Sequence, residues 1–161
     1  MEGPVWENDK IAFRNYFDAR NGMDIFGKRV SDMCMDSVGL HGSYHELDNW
    51  GMDILKVGNS LGAGSIGLLK NDSLYRLGLT ENAIYELVSE GPIRSVFRLI
   101  FSGWETDQTV YSVVHEISIW GGANFYKSDV TISGLKGGEN LITGIVNMQT
   151  DTFSCVIFKK P

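Results

Sequence analysis

The densest concentration of chemically capable residues is Ser43-Tyr44-His45-Glu46-Leu47-Asp48-Asn49-Trp50-Gly51-Met52-Asp53. It gathers an imidazole, the carboxylates of Glu46, Asp48 and Asp53 (with Asp36 upstream) and an indole. This mixture suits a sugar. An aromatic face covers the apolar C–H face of a pyranose, while carboxylates, amides and guanidinium groups take its hydroxyls in paired hydrogen bonds. The plain alternative is a solvated loop whose Trp50 plugs the core.

Other chemistries fare less well. His41 and His45 have HxxxH spacing, which on a helix would put both rings on one face as in zinc sites. Gly42 lies between them and Gly39 precedes them, no third ligand is obvious, and the Glu of an HExxH motif is missing, so no metal is expected. His115 and Glu116 are neighbours on an alternating segment and must point to opposite faces, which makes His115 a core histidine rather than half of an acid–base pair. Gly58-Asn-Ser-Leu-Gly62-Ala-Gly64 lacks the Lys of a phosphate loop and reads as a tight turn. There is no GxSxG elbow. Carboxylates that could pair, as glycosidases require at roughly 5–10 Å, include Glu7, Asp9, Asp18, Asp24, Glu46 and Asp53. No cofactor is expected.

The elements that must carry these residues are strands. Arg94–Ser102 puts Ser95, Phe97, Leu99 and Phe101 on one face; Val110–Trp120 does the same with Tyr111, Val113, His115, Ile117 and Ile119; 124–133 alternates too. Such period-two patterns mark strands with one buried face. Gly91-Pro92, Gly103, Gly121-Gly122 and Gly137-Gly138 punctuate them. Asn71-Asp72 reads as the turn of a hairpin between 65–69 and 74–77, and 141–147 and 153–158 read as further strands. The second half is expected to be an antiparallel meander. In the first, Ile11, Phe13 and Phe17 oppose Arg14 and Tyr16, after which the chain becomes loop-like, with a short helix conceivable over 46–53. The fold class is therefore all-β, an antiparallel sheet sandwich formed as one domain over residues 1–161. Open edges in such a sheet need covering, which hints at further chain on either side.

Composition fits this. The chain has 161 residues, 43% apolar and 21% charged, enough for a real core without staples. A net charge of −6 argues against nucleic acid as partner. No apolar run approaches the roughly 20 residues of a membrane helix, and the opening MEGPVWENDK has no apolar h-region of a secretory signal. Cys34 and Cys155 are far apart and read as idle thiols, a bridge between them staying open.

Gly3-Pro4-Val5-Trp6-Glu7-Asn8-Asp9-Lys10, Phe13-Arg14, Tyr16 and Asp24-Ile25-Phe26-Gly27-Lys28 resemble a bacterial family catalogued as domain of unknown function number 4861. The likeness continues through Ser43-Tyr44-His45-Glu46 and 50–62, and resumes at 91–95, Gly103-Trp104 and 143–146. The resemblance implies a galactose-mutarotase-like supersandwich of which this chain is an incomplete central segment. It also implies a periplasmic or extracellular setting and the company of polysaccharide-degrading enzymes. His41 and His115 fall outside its motifs.

Three functions follow. The first is a carbohydrate-active enzyme (lyase, hydrolase or epimerase) acting on oligosaccharides or uronate-containing glycans. In it His45 moves a proton, with Arg14, Asp53 and Lys56 completing the catalytic set and a cation neutralising a uronate or developing oxyanion. Substrate contacts would come from Trp6, Glu7, Tyr16, Asp24, Lys28, Tyr44 and Trp50. The second is a non-catalytic sugar-binding module on the same platform. The third is a structural β domain of a longer parent, its charges closed into ion pairs. The sequence leaves the oligomeric state open.

Overall fold

The computed structural model describes residues 3–40 and 42–147 in full, and the backbone of 156–158. No helix occurs among the described residues. The described strands form three antiparallel sheets of four strands each. The first runs β1 (Val5–Glu7), β2 (Ile11–Asn15), β3 (Met23–Lys28), β4 (Gly51–Asp53). A hairpin, β5 (Gly67–Lys70) and β6 (Ser73–Arg76), belongs to another sheet. The long strands β7 (Asn82–Ser89), β8 (Arg94–Thr106), β9 (Thr109–Trp120) and β10 (Tyr126–Ser133) form the third in sequence order. The expected meander is thus real for these four. The chain then leaves it: β11 (Asn140–Thr143) pairs with β5 and with β12 (Val156–Phe158).

Alternation does what the pattern predicted. Phe97, Leu99 and Phe101 of β8 and Tyr111, Val113 and Ile117 of β9 face inward at 0–3% exposure. They meet Trp6, Phe13 and Met23 of the first sheet and Leu68 of β5 in one core. Trp6 lies at its centre, its ring centroid 5.1 Å from Phe97, 5.4 Å from Tyr126 and 5.8 Å from Phe13. His115, on the same inward face, is 1% exposed with Nε2 2.6 Å from Ser128 Oγ. Burial pushes its pKa down to about 4, so it is a neutral core histidine.

Two turns explain local outcomes. Asn71 and Asp72 both take positive φ (49° and 58°), the backbone a two-residue hairpin needs. The helix conceivable over 46–53 is replaced by a turn in which Asp48 and Gly51 exchange backbone hydrogen bonds (3.0 and 3.2 Å), delivering 51–53 to pair with β3. The glycine-rich stretch is indeed a turn. Gly62 sits at φ +64° against β3, where an added Cβ would lie 2.1 Å from the Met23 carbonyl oxygen. Gly58, at φ +53°, has open space around it.

A far-UV circular dichroism spectrum should show strand and no helical minimum. Gly58→Ala should cost about 1–2 kcal/mol for its left-handed backbone alone. Gly62→Ala, which must also push β3 aside, should lower the denaturation midpoint markedly more.

Candidate functional site

The face of the first sheet that turns away from the main core carries the polar residues of the sequence motifs. Neighbouring strand residues alternate, so Trp6, Phe13 and Met23 point into the core while Glu7, Arg14 and Asp24 point the other way. The register completes the set: Arg14 lies opposite Asp24, and Asp53 lies opposite Phe26. Residues 29–40 and 42–50 fold over this face. Met35, Val38, Tyr44 and Trp50 pack on Ala12 and Phe26 in a second, smaller core.

Two charged pairs on this face are closed. The Lys28 ammonium, its side chain 0% exposed, donates to Glu7 Oε2 at 2.6 Å and to the Asn8 carbonyl at 2.7 Å. Glu7 also accepts the amides of Cys34 (3.0 Å) and Met35 (2.9 Å), so this pair pins the covering loop to β1. The Arg14 guanidinium contacts Asp24 Oδ2, with the two side chains 5% and 0% exposed. Asp24 Oδ1 accepts the Tyr16 hydroxyl at 3.0 Å. Three rings surround Arg14: Tyr16 at 4.6 Å, Tyr44 at 5.4 Å and Phe26 at 5.9 Å. Burial, then the Asp24 charge, pushes the Tyr16 phenol up to about 12, so it stays a neutral donor.

A third pair is open. His45 Nδ1 lies 3.0 Å from Asp53 Oδ2; the imidazole is 66% exposed and the carboxylate 5%. Asp53 is fixed from behind, its Oδ1 accepting the Leu55 amide at 3.0 Å and its own amide donating to the Tyr44 carbonyl at 2.8 Å. Burial raises the Asp53 carboxyl above its ordinary range, the Leu55 amide and His45 offsetting this only in part. The Tyr44 ring, 4.3 Å from the imidazole, backs it on one side.

His45 and Asp53 line an open cleft of about 540 Å³ with Tyr16, Lys56 and an aliphatic wall of Met52, Ile54, Leu55 and Val57. A ring bound through Nδ1 presents Nε2 on its opposite edge. An acidic group that holds Nδ1–H fixes the tautomer and stabilises the imidazolium, so such a ring can take or give a proton at Nε2.

The predicted site residues therefore separate. Tyr16, His45, Asp53 and Lys56 share the cleft. Arg14, Asp24 and Tyr44 stand behind it, Glu7 and Lys28 hold the loop, Trp50 packs on Phe26, and Trp6 is inside the main core. His41 and Cys155 lie outside the described residues, and no group of three His, Cys, Asp or Glu that could hold a metal occurs among those described. The aliphatic wall was missed, although Met52 and Leu55 sit within the very motif that names the site. Arg20 was missed too; its guanidinium lies 4.3 Å over the Tyr16 ring and pairs with Asp18.

Comparison with known proteins gives a family and a relative. A family model described as a domain of unknown function (DUF4861) matches residues 1–160. A protein of Formosa agariphila named "Uncharacterized protein P7" is 28% identical over 150 residues, covering 81% of this chain; the chain spans 37% of that relative's length. No solved structure matches the chain.

Closed and open pairs should respond differently to truncation. Asp24→Ala leaves a buried guanidinium unpaired and should cost about 3–5 kcal/mol in chemical denaturation. His45→Ala, at an exposed ring, should stay within about 1 kcal/mol of wild type. Asp53 gives a pH signature. Its folded-state pKa is raised, so the protonated form favours the fold and that contribution fades as pH rises through the folded value. Stability curves measured from acid to neutral pH should fall less steeply in Asp53→Asn than in wild type.

Proposed function

The chain belongs to the DUF4861 family, and we propose from that premise that its cleft takes an acidic oligosaccharide and that His45 transfers a proton on it. The observation that carries this reading is the contact of the exposed His45 Nδ1 with the buried Asp53 carboxylate at 3.0 Å. A solvated surface histidine has no need of a desolvated carboxylate, whose burial is unfavourable without a compensating role. Asp53 holds the tautomer and His45 Nε2 takes a proton from, or returns one to, the bound sugar. Lys56 on the cleft wall supplies positive charge for a uronate carboxylate or a developing oxyanion. The aliphatic wall of Met52, Ile54, Leu55 and Val57 covers the apolar face of a pyranose. Arg14, enclosed by Asp24 and three rings, positions Tyr16 and Tyr44 rather than meeting the sugar. The setting that fits such a site is bacterial polysaccharide utilisation, in the periplasm or outside the cell.

The closed Glu7–Lys28 and Arg14–Asp24 pairs favour a second reading, a structural β domain of a longer parent in which the charged motifs serve the fold alone.

Turnover and calorimetric binding of uronate-containing and neutral oligosaccharides separate these readings. The expected result is turnover of an acidic oligosaccharide that falls by about 10²–10⁴-fold in His45→Ala, with a melting temperature close to wild type. Lys56→Ala should raise KM for acidic substrates more than for neutral ones. Binding without turnover, unchanged by His45→Ala, would leave a sugar-binding module. If folded protein neither binds nor turns over either class, the carbohydrate reading falls and the structural one stands.

A further inference from the structure

β7 lies at one end of the third sheet, hydrogen-bonded to β8 on one side and to no described strand on the other. Its eight residues are all exposed. Ile84, Tyr85, Leu87 and Val88 keep 44–54% of their surface in contact with solvent despite lying in a regular strand. Tyr85 and Leu87 pair with Leu99 and Phe97 on the core face, while Ile84 pairs with Ile100 on the other, so both faces of this edge are apolar and uncovered. Natural sheets protect such edges with Lys, Pro, inward charges or bulges. β7 has a register shift near its end, at Leu87/Ser89, and a single charge, Glu86.

The charges around it say what fits. Glu81 and Glu90 flank the strand and Glu86 lies within it, and all three are exposed. In antiparallel pairing with a second copy of β7, Glu81 would come beside Glu90 of that copy, between chains that each carry −6. Like charges opposed across strands are unfavourable. A strand with an apolar centre and basic ends meets no such repulsion. The matched relative places 63% of its length outside the region this chain spans, so polypeptide to supply such a strand exists in the family.

We propose that β7 is a docking edge that accepts, as a fifth strand of this sheet, an extended segment with an apolar centre and basic ends, contributed by polypeptide outside residues 1–161. Main-chain hydrogen bonds would give the affinity, and Glu81 and Glu90 the preference for basic ends.

Hydrogen exchange over residues 82–89 tests this with two synthetic probes, Lys-Thr-Val-Thr-Val-Thr-Val-Thr-Lys and the same peptide with Glu at both ends. The lysine-ended peptide should slow exchange at least tenfold and the glutamate-ended one should not. Leu87→Lys, at an exposed site and checked for an unchanged melting temperature, should abolish the protection. Glu81→Lys with Glu90→Lys should reverse the preference. A match over 81% of the chain necessarily includes its middle, so the whole Formosa agariphila relative gives a second reading: its counterpart of β7 should exchange as slowly as its central strands. Fast exchange there would overturn the proposal, as would equal or absent protection by the two peptides. Protection that instead grows with the chain's own concentration, with a dimer in sedimentation, would assign the edge to a second copy and overturn it equally.

Discussion

The outward face of the first sheet depends on one buried contact, the guanidinium of Arg14 against the carboxylate of Asp24. Two strands that must bury both faces cannot leave either charge unpaired. The pair therefore dictates that β2 and β3 align with these residues directly opposite. From that register the rest follows: Phe26 falls opposite Asp53, the covering loop packs on Phe26, and the Tyr16 hydroxyl lands on the free oxygen of Asp24. A slip by one residue would turn Arg14 into the main core and Phe13 out of it.

This arrangement divides one population of charges into two. Pairs with both members buried serve geometry, since their cost is met only when each finds the other. The His45–Asp53 pair has one member inside and one outside, and that asymmetry gives it chemical capacity. The buried carboxylate cannot reorganise, and the exposed ring can reach a ligand. The pair is thereby pre-organised in a way that a fully solvated pair of the same residues is not.

Much of this was legible from the residues. The inward faces of β8 and β9 could be read from alternation, His115 could be placed in the core because it shares a face with Val113 and Ile117, and the charged first half stood apart from the apolar second. Less legible was anything that depends on which strand lies beside which. The partners of Arg14 and Lys28 are fixed by cross-strand register, which no local pattern encodes. β7 went unrecognised because Ile84, Tyr85, Leu87 and Val88 place apolar groups on both faces, and a strand exposed on two sides has no alternation to read. β11 leaves the meander because its partner β5 lies far back in the sequence. Sequence proximity gathered His45 and Asp53, but only the turn closed between Asp48 and Gly51 brings them into contact.

The clamp of Glu7 on the covering loop also governs sulfur chemistry. Cys34 donates its amide to Glu7, and its thiol lies 3.9 Å from the same carboxylate. Burial first, and then the Glu7 charge, pushes the thiol above its ordinary pKa. Oxidants and alkylating reagents attack the thiolate, and that is the form this position suppresses. The same contact that pins the loop to β1 therefore disfavours the thiolate of Cys34.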